Sequence, residues 1–213
     1  MIQLRQHQVT ILDTLSKNVK GQVIVPTGGG KTMCMIKDAQ RQFNSCEWDI
    51  INRDCDRKTI VIVAPRILLA QQLCEDFISS INVHPMLQYK VLHVHSGDTH
   101  HFSSTNPETI CNWSQRMYRF NKLIFTTYHS LHRIQESGIK VDSLYFDEAH
   151  NSVQRNFQPA TKFYSTRDNI RCFFFTATPK HCLSNEKIGM ENEEVYGKVL
   201  CDIPAPKLVK QGH

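Results

Sequence analysis

The sequence predicts an α/β fold in which helices cover both faces of a mostly parallel sheet. Apolar runs such as residues 59–64 and 172–175 are continuous, as expected for strands that are buried on both faces. Segments with apolar residues every three or four positions, the spacing of a helix with one buried face, separate these runs. A glycine-rich turn at 26–32 joins one such strand to one such helix. This alternation is typical of a parallel sheet.

The first predicted elements are a helix, a strand and a second helix. The apolar positions expected on one face of the first helix are Ile11, Leu12, Leu15 and Val19. Residues 23–25 follow as a short buried strand. A four-residue repeat then predicts the apolar face of the second helix at Met35, Ala39 and Phe43.

The later elements continue the same pattern. A polar connection at 44–57 leads to the buried strand 59–64, and a helix is predicted after Pro65 because apolar residues recur there at four-residue steps. The remaining strands are predicted at 91–95, 122–125, 143–146 and 172–175. The stretch 99–119 is polar and weakly patterned, so we interpret it as a loop or a short-helix excursion.

Length and composition agree with one large globular domain. The chain has 213 residues, of which 40% are hydrophobic and 21% are charged. Its net charge of +5 permits a polyanionic partner, although many other enzymes are equally basic. No apolar run approaches the length of a membrane span, and the N-terminus lacks the layout of a signal peptide. We therefore expect no membrane contact and an intracellular protein, cytoplasmic or nuclear.

The cysteines and histidines give weak signals. None of the eight cysteines forms a C-x-x-C pair, so we interpret them as reduced thiols rather than as disulfides or zinc ligands. The histidines that lie close together are His93, His95, His100 and His101. They suggest a metal, but no thiol or carboxylate stands at a ligand spacing, and 91–95 alternates like a strand. We expect no metal there.

The glycine turn has the composition and context of a phosphate-binding loop. Residues expected to hold nucleotide phosphates are Thr27, Gly28, Gly29, Gly30, Lys31 and Thr32. Glycines let backbone N–H groups converge on phosphate oxygens, and the following helix presents its positive end to the same anion. Lys31 would reach the β- and γ-phosphates, and the Thr32 hydroxyl would bind Mg²⁺. The usual pattern has glycine where this chain has Val25.

A second motif follows the predicted strand 143–146. The tetrad at 147–150 reads Asp-Glu-Ala-His, so its acids emerge at the carboxyl end of a strand, where open α/β sheets bind ligands. An acidic pair after a strand is by itself usually a solvated loop. Paired with a phosphate loop, it predicts that Asp147 holds Mg²⁺ through water and that Glu148 polarises the attacking water. The cofactors expected are thus ATP and Mg²⁺.

Taken in order, these motifs resemble the first motor domain of a superfamily 2 helicase or translocase of the DEAH-box type. The resemblance runs from about Leu4 to Lys198 and implies a RecA-like α/β fold that hydrolyses ATP while it holds a nucleic-acid strand. The tail 194–199 is similar to the branch of type III restriction enzymes and repair helicases, which favours DNA over RNA. The motor domain would occupy 1–203, and 204–213 would form a linker.

The resemblance also implies roles for residues outside the two phosphate motifs. The segment 4–8 is similar to the family's adenine-reading segment, in which Gln8 would bind the adenine edge and Arg5 would support the nucleotide. Residues expected to contact the nucleic-acid backbone are Arg66, Ser96, Gly97 and Thr127. Residues expected to couple the nucleotide site to strand binding are His150, Thr176 and Thr178.

The resemblance further implies a second RecA-like domain, which would supply the arginine finger and half of the ATP cleft. No segment here matches it, so the chain is expected to be an excised first domain or a naturally short protein. We expect it to bind ATP but to hydrolyse it slowly. Two alternatives remain open at this point: a kinase or GTPase with a phosphate loop, and a non-catalytic module that docks a partner or regulates another ATPase.

Overall fold

The computed structural model describes residues 3–45, 57–182 and 189–204. The helices in this part are α1 (Gln6–Lys17), α2 (Lys31–Asn44), α3 (Ile67–Ser80), α4 (Pro107–Arg116), α5 (Leu131–Glu136), α6 (Gln158–Ser165) and α7 (Glu193–Tyr196). The strands are β1 (Lys20–Ile24), β2 (Thr59–Ala64), β3 (Tyr89–Val94), β4 (Asn121–Thr127), β5 (Ser143–Phe146), β6 (Arg171–Thr176) and β7 (Val199–Asp202). Most of the predicted connection 44–57 and nearly all of the predicted linker 204–213 lie outside the described residues.

The strands form one sheet with the order β3-β4-β2-β5-β6-β1-β7. Strand β1 pairs in parallel with β6 and β7, and β4 pairs in parallel with β2 and β3. All six residues of β2 are buried, as the continuous apolar run predicts for a strand covered on both faces. The α/β class with a parallel sheet is confirmed.

The chain divides into two compact units, of which the first comprises residues 1–38 and 145–213. Within it, β1 and β6 pair from Lys20 opposite Cys172 to Ile24 opposite Thr176, so both strands end side by side. The Val25 N–H extends this ladder to the Thr176 carbonyl at 2.9 Å. The glycine loop therefore starts next to the end of β6.

A buried polar cluster anchors the middle of α2 within the first unit. The Asp38 side chain is fully buried and accepts hydrogen bonds from the Tyr145 hydroxyl and, at 3.0 Å, from the Arg171 guanidinium. Arg171 also donates to the Leu15 carbonyl of α1 at 2.8 Å. These bonds satisfy a carboxylate that would be costly to bury alone.

The second unit comprises residues 39–144. Strands β2 and β4 pair from Thr59 opposite Lys122 to Ala64 opposite Thr127, and Val94 of β3 lies opposite Thr126. The Thr126 hydroxyl donates to the Val94 carbonyl at 2.9 Å, and the Tyr128 N–H donates to the Ala64 carbonyl at 3.1 Å. The carboxyl ends of these three strands therefore meet at one edge of the unit.

The start of the first strand is one place where the sequence prediction was wrong. Helix α1 ends at Lys17, and Val19 is 58% exposed instead of lying on the buried face of the helix. The Val19 carbonyl accepts a hydrogen bond from the Cys172 N–H at 2.8 Å, so the sheet recruits this residue. The predicted strand started three residues too late, because Lys20 and Gln22 are polar and interrupt the apolar run at the beginning of β1.

The sequence left the stretch that contains helix α4 undecided between a loop and a short helix, and strand β7 was not predicted. Helix α4 lies within the stretch 99–119, where the Asn106 side chain caps it by accepting from the Thr109 N–H at 3.0 Å. Strand β7 follows α7 and pairs with β1. It is only four residues long and buries only Cys201, so it does not stand out as a buried strand.

The cysteines in the described part of the chain are free thiols. Six cysteines lie there, all without a disulfide, while Cys46 and Cys55 lie outside the described residues. Burial raises the pKa of the Cys34, Cys74 and Cys172 thiols to about 12. Across residues 3–45, 57–182 and 189–204, no helix is long and apolar enough to cross a membrane.

The histidine cluster forms a packed, hydrogen-bonded group. His93 is 1% exposed, its Nδ1 lies 2.9 Å from His95 Nε2, and its ring stacks against both Phe125 and His101. The Gly97 N–H donates to His95 Nδ1 at 3.2 Å. Among the described residues, no group of three or more histidine, cysteine, aspartate or glutamate side chains is placed to hold a metal ion.

His93 predicts an acid-sensitive fold. Burial lowers its pKa from 6.5 to about 4, and positive charge on His95 and His101 acts in the same direction. Between these two pH values the unfolded chain binds a proton that the folded chain does not, so stability present above pH 6.5 is lost as the pH falls. A pKa difference of this size corresponds to roughly 3 kcal/mol of unfolding free energy. We expect His93→Gln to flatten the decline in unfolding free energy between pH 7 and pH 4.5, measured by urea titration.

The matched control for this experiment is His100→Gln, because His100 is exposed in the same region. That variant should retain the wild-type decline. A wild-type decline in His93→Gln would contradict the assignment of acid sensitivity to His93.

Candidate functional site

The glycine loop at 26–30 connects β1 to α2, and its conformation depends on glycine. Gly28 and Gly30 both have φ of 80°, in the left-handed region that side chains disfavour. A Cβ atom on Gly30 would also collide with the Gln8 amide. The Gly29 N–H donates to the Pro26 carbonyl at 3.0 Å and closes the turn. The loop thus leads into the N-terminus of a 14-residue helix, the arrangement that suits a phosphate.

The beginning of α1 holds the carbonyls of all three loop glycines. Arg5 Nη1 donates to the Gly28 carbonyl at 3.3 Å, and Gln8 Nε2 donates to the Gly30 carbonyl at 3.5 Å. Between them, His7 Nε2 lies 2.8 Å from the Gly29 carbonyl oxygen. His7 was not predicted to be a site residue. Its position between two residues that were assigned to the nucleotide was the available signal.

Gln8 is packed against the loop in this structure. It is 5% exposed, and its Oε1 accepts from the Arg5 N–H at 2.9 Å. Both ends of its amide are therefore engaged by the loop and by the start of the helix. Recognition of adenine by Gln8 stays a prediction.

Lys31 and Glu148 bring the two phosphate motifs together. Lys31 Nζ lies 3.1 Å from Glu148 Oε1 and 3.5 Å from the Val25 carbonyl oxygen. The Lys31 side chain is only 10% exposed and that of Glu148 is 28% exposed. A long cationic side chain is thereby held beside the glycine loop, with its charge compensated by the residue predicted to act on water.

Asp147 is the buried carboxylate of the site. Burial, together with the neighbouring Glu148 carboxylate, raises its pKa to about 6, although the Lys31 ammonium opposes the change. A nearby cation stabilises the charged form of such a buried carboxylate. Carboxylate and hydroxyl oxygens, such as those of Asp147 and half-buried Thr32, are ligands that Mg²⁺ prefers. The residues present therefore fit the ion that the sequence predicted.

Glu148 has a strained backbone. Its φ of 44° and ψ of 55° are left-handed, and no other non-glycine residue has a positive φ in the described part of the chain. Asn151 stabilises this conformation, since its side-chain Nδ2 and its backbone N–H both donate to the Glu148 carbonyl, at 2.8 Å and 3.0 Å. Strain of this kind is concentrated at functional sites.

The three residues predicted to couple nucleotide and strand binding lie together. His150 Nδ1 lies 3.1 Å from the Thr176 hydroxyl and 3.5 Å from Glu148 Oε2. The Thr178 N–H donates to the same Thr176 hydroxyl at 3.1 Å. A continuous chain of polar contacts therefore runs from Lys31 through Glu148 to the turn after β6.

The residues predicted to contact nucleic acid lie at the carboxyl ends of β2, β3 and β4 in the second unit. Arg66 precedes α3 and is exposed, as is Ser96 in the turn after β3. A Cβ atom on Gly97 would collide with the Ile67 side chain, so glycine lets this turn approach the start of α3. Thr127 differs from the others because it is only 5% exposed.

A family model for the res subunit of type III restriction enzymes matches residues 1–181. The match spans most of the 213 residues, so the chain belongs to that family. The resemblance to the first motor domain of superfamily 2 helicases is thereby confirmed. Comparison with curated protein sequences found no match.

Solved structures share the fold at low sequence identity. A nuclease-deletion mutant of the Type ISP restriction-modification enzyme LlaGI, in complex with a DNA substrate mimic, matches with a TM-score of 0.75 and 20% identity over 99% of this chain. The Pyrococcus furiosus Hef helicase domain matches with a TM-score of 0.62 and 20% identity over 97% of this chain. The Sulfolobus solfataricus SWI2/SNF2 ATPase core, in complex with dsDNA, matches with a TM-score of 0.52 and 18% identity over 84% of this chain.

This chain covers 20%, 39% and 32% of the lengths of those three chains, respectively. The matches confirm the RecA-like fold that the sequence predicted.

Proposed function

We propose that this chain is the ATP-binding half of a nucleic-acid helicase or translocase that acts on DNA. The observation that carries the proposal is the 3.1 Å contact between Lys31 Nζ and Glu148 Oε1, which joins the glycine loop to the acidic tetrad. This ion pair places two loops that are far apart in the sequence at one site, as a single phosphate-binding site requires.

Each residue of the ATP site then has a defined task. The backbone N–H groups of the loop at 26–30 and the N-terminus of α2 bind phosphate oxygens. Lys31 binds the terminal phosphates, and Glu148 orients and polarises the attacking water. Arg5, His7 and Gln8 hold the loop in shape through its three glycine carbonyls.

Mg²⁺ fits this site because burial disfavours the charged form of Asp147 and raises its pKa. A nearby cation would stabilise the charged carboxylate. Thr32 and Asp147 would hold the ion, Asp147 through water. When bound, Mg²⁺ neutralises charge on the phosphate oxygens. Lys31 supplies further positive charge from the protein itself.

The polar chain beyond Glu148 supports coupling. A change in the Glu148 carboxylate alters its 3.5 Å contact with His150, and His150 in turn contacts the Thr176 hydroxyl. Thr176 is fully buried and accepts from the Thr178 N–H. Because every partner is engaged, a shift at Glu148 requires the turn after β6 to readjust.

The DNA assignment rests on surface chemistry and on the matched structures. Arg66 and Ser96 are exposed at the carboxyl edge of the second unit, where a cation, a hydroxyl and backbone amides suit a phosphate backbone. LlaGI and the SWI2/SNF2 core are described in complex with a DNA substrate mimic and with dsDNA. Contacts of this type need little base recognition, so we expect weak sequence preference.

We also propose that efficient hydrolysis needs a second motor domain. Arginine fingers raise the rate of related phosphate-loop enzymes by about 10³–10⁵. The matched LlaGI and Hef chains are about 2.5 to 5 times as long as this one, which leaves room in them for such a domain. We expect the 213-residue chain to bind ATP, to hydrolyse it slowly and not to separate duplexes.

The test compares ATP hydrolysis by this chain and by a longer form that carries a second motor domain, each with and without single-stranded DNA or RNA. We expect the longer form to be faster and to be stimulated by DNA. Multiple-turnover strand separation by the 213-residue chain alone would contradict the proposal. A preference for GTP, or transfer of phosphate to a small molecule, would favour a GTPase or kinase, and absence of nucleotide binding would favour a docking module.

A further inference from the structure

A polar cavity lies in the second unit, apart from the predicted nucleic-acid contacts of that unit. Its volume is about 600 Å³. Thr59 and Lys122 line it from the amino-terminal ends of β2 and β4, where they lie opposite each other in the sheet. The residues proposed to contact DNA, Arg66 and Thr127, follow or end the same two strands at their carboxyl ends. The cavity is therefore a separate site.

The lining of this cavity is strongly cationic. Arg57, Lys122 and Lys140 line it, and none of the described lining residues is acidic. Among the described residues, Asp142 is a carboxylate next to this lining: it lies 3.6 Å from Lys140 Nζ and 3.9 Å from Lys58 Nζ, and it accepts from the Thr59 N–H at 2.8 Å. This carboxylate is shared by two lysines.

Arg57 carries the clearest sign of a ligand. Its Nη1 atom is buried, and within the described chain no hydrogen-bond acceptor lies in range of it. A guanidinium nitrogen cannot lose its charge, and a buried donor without an acceptor is unfavourable. A planar guanidinium that lines a cavity is well suited to bind an oxyanion with two parallel hydrogen bonds.

The remaining lining adds neutral donors and one aromatic ring. Ser114 and Gln115 of α4 contribute a hydroxyl and an amide, both of which can donate to phosphate oxygens. Tyr118 is 63% exposed, and its hydroxyl accepts from Arg119 Nε at 2.7 Å. Its exposed ring lines the cavity and can stack on a planar group.

We propose that this cavity binds a small phosphate-bearing anion, with Arg57 and Lys122 as its main contacts. The volume is within the range of small-molecule sites and accommodates a mononucleotide. The shared chemistry of the ligands is the phosphate group. A nucleotide adds a base that Tyr118 can stack on, whereas pyrophosphate has none.

The test uses calorimetry with pyrophosphate and AMP on the full chain carrying Lys31→Ala, which removes the lysine of the glycine loop. We expect one binding event that Arg57→Gln weakens at least about tenfold, as loss of a charge-assisted contact predicts. The control is Arg133→Gln, which removes the same charge from an exposed arginine paired with Glu136 at 3.0 Å. It should leave the affinity unchanged.

A second variant keeps the test decisive if Arg57→Gln does not fold. Lys140 is 61% exposed, so Lys140→Gln should fold and should weaken binding measurably. AMP binding that is tighter than pyrophosphate binding identifies a nucleotide ligand, and equal binding identifies the phosphate alone. The proposal is overturned if neither anion binds, if Arg133→Gln and Arg57→Gln behave alike, or if only an oligonucleotide binds.

Discussion

Replacing Lys31 with alanine is expected to abolish ATP binding in practice. The Lys31 side chain is 10% exposed, and its ammonium lies 3.1 Å from the Glu148 carboxylate. Losing the charged contact between Lys31 and the terminal phosphates costs about 2–5 kcal/mol, which corresponds to a rise in Kd of roughly 30-fold or more. The variant also leaves Glu148 uncompensated beside incoming phosphates, which adds repulsion. Calorimetric titration with ATP and Mg²⁺ measures the change.

The control for this experiment is Lys37→Ala, which removes a lysine from the same helix away from the loop. It should bind ATP like the wild type. Equal affinity of the wild type and Lys31→Ala would rule out the assigned site.

Replacing Glu148 with glutamine is expected to separate binding from hydrolysis. Glutamine keeps the size of the side chain but cannot accept a proton, and general bases contribute typically about 10²–10⁴ in rate. ATP binding should be retained, because Lys31 loses a competing partner when the carboxylate becomes neutral. The change also removes a negative charge that raises the pKa of Asp147. Phosphate release over time and calorimetry on the same sample measure the two effects.

A suitable control is Glu136→Gln, since Glu136 is an exposed glutamate of α5. It should leave both binding and hydrolysis unchanged. Hydrolysis at the wild-type rate in Glu148→Gln would remove Glu148 from the catalytic role, and a parallel loss of binding would make it a structural residue.

The fold could be predicted from the sequence where burial is complete. The run 59–64 is apolar at nearly every position because both faces of β2 are covered, and the structure buries all six residues. Strand β7 is only four residues long and buries only Cys201, so its apolar residues carried no comparable signal. Val19 was placed on a helix because periodicity cannot reveal that β6 recruits its carbonyl.

The site was predictable in its chemistry but not in its geometry. The residue types alone, which are glycines, a lysine and two acids, indicate phosphate and metal binding. The strain at Glu148 and the support from Asn151 depend on backbone angles that residue types do not specify. His7 was missed because one histidine ring has many uses, and only the fold shows that it meets the Gly29 carbonyl.

The most direct test of the central claim is a structure of this chain with Mg²⁺ and a non-hydrolysable ATP analogue. The account predicts terminal phosphates against the N–H groups of the loop at 26–30, with Lys31 Nζ moved from Glu148 to a phosphate oxygen and Asp147 facing the metal ion. An analogue bound elsewhere, or bound while the 3.1 Å contact between Lys31 and Glu148 persists, would contradict it.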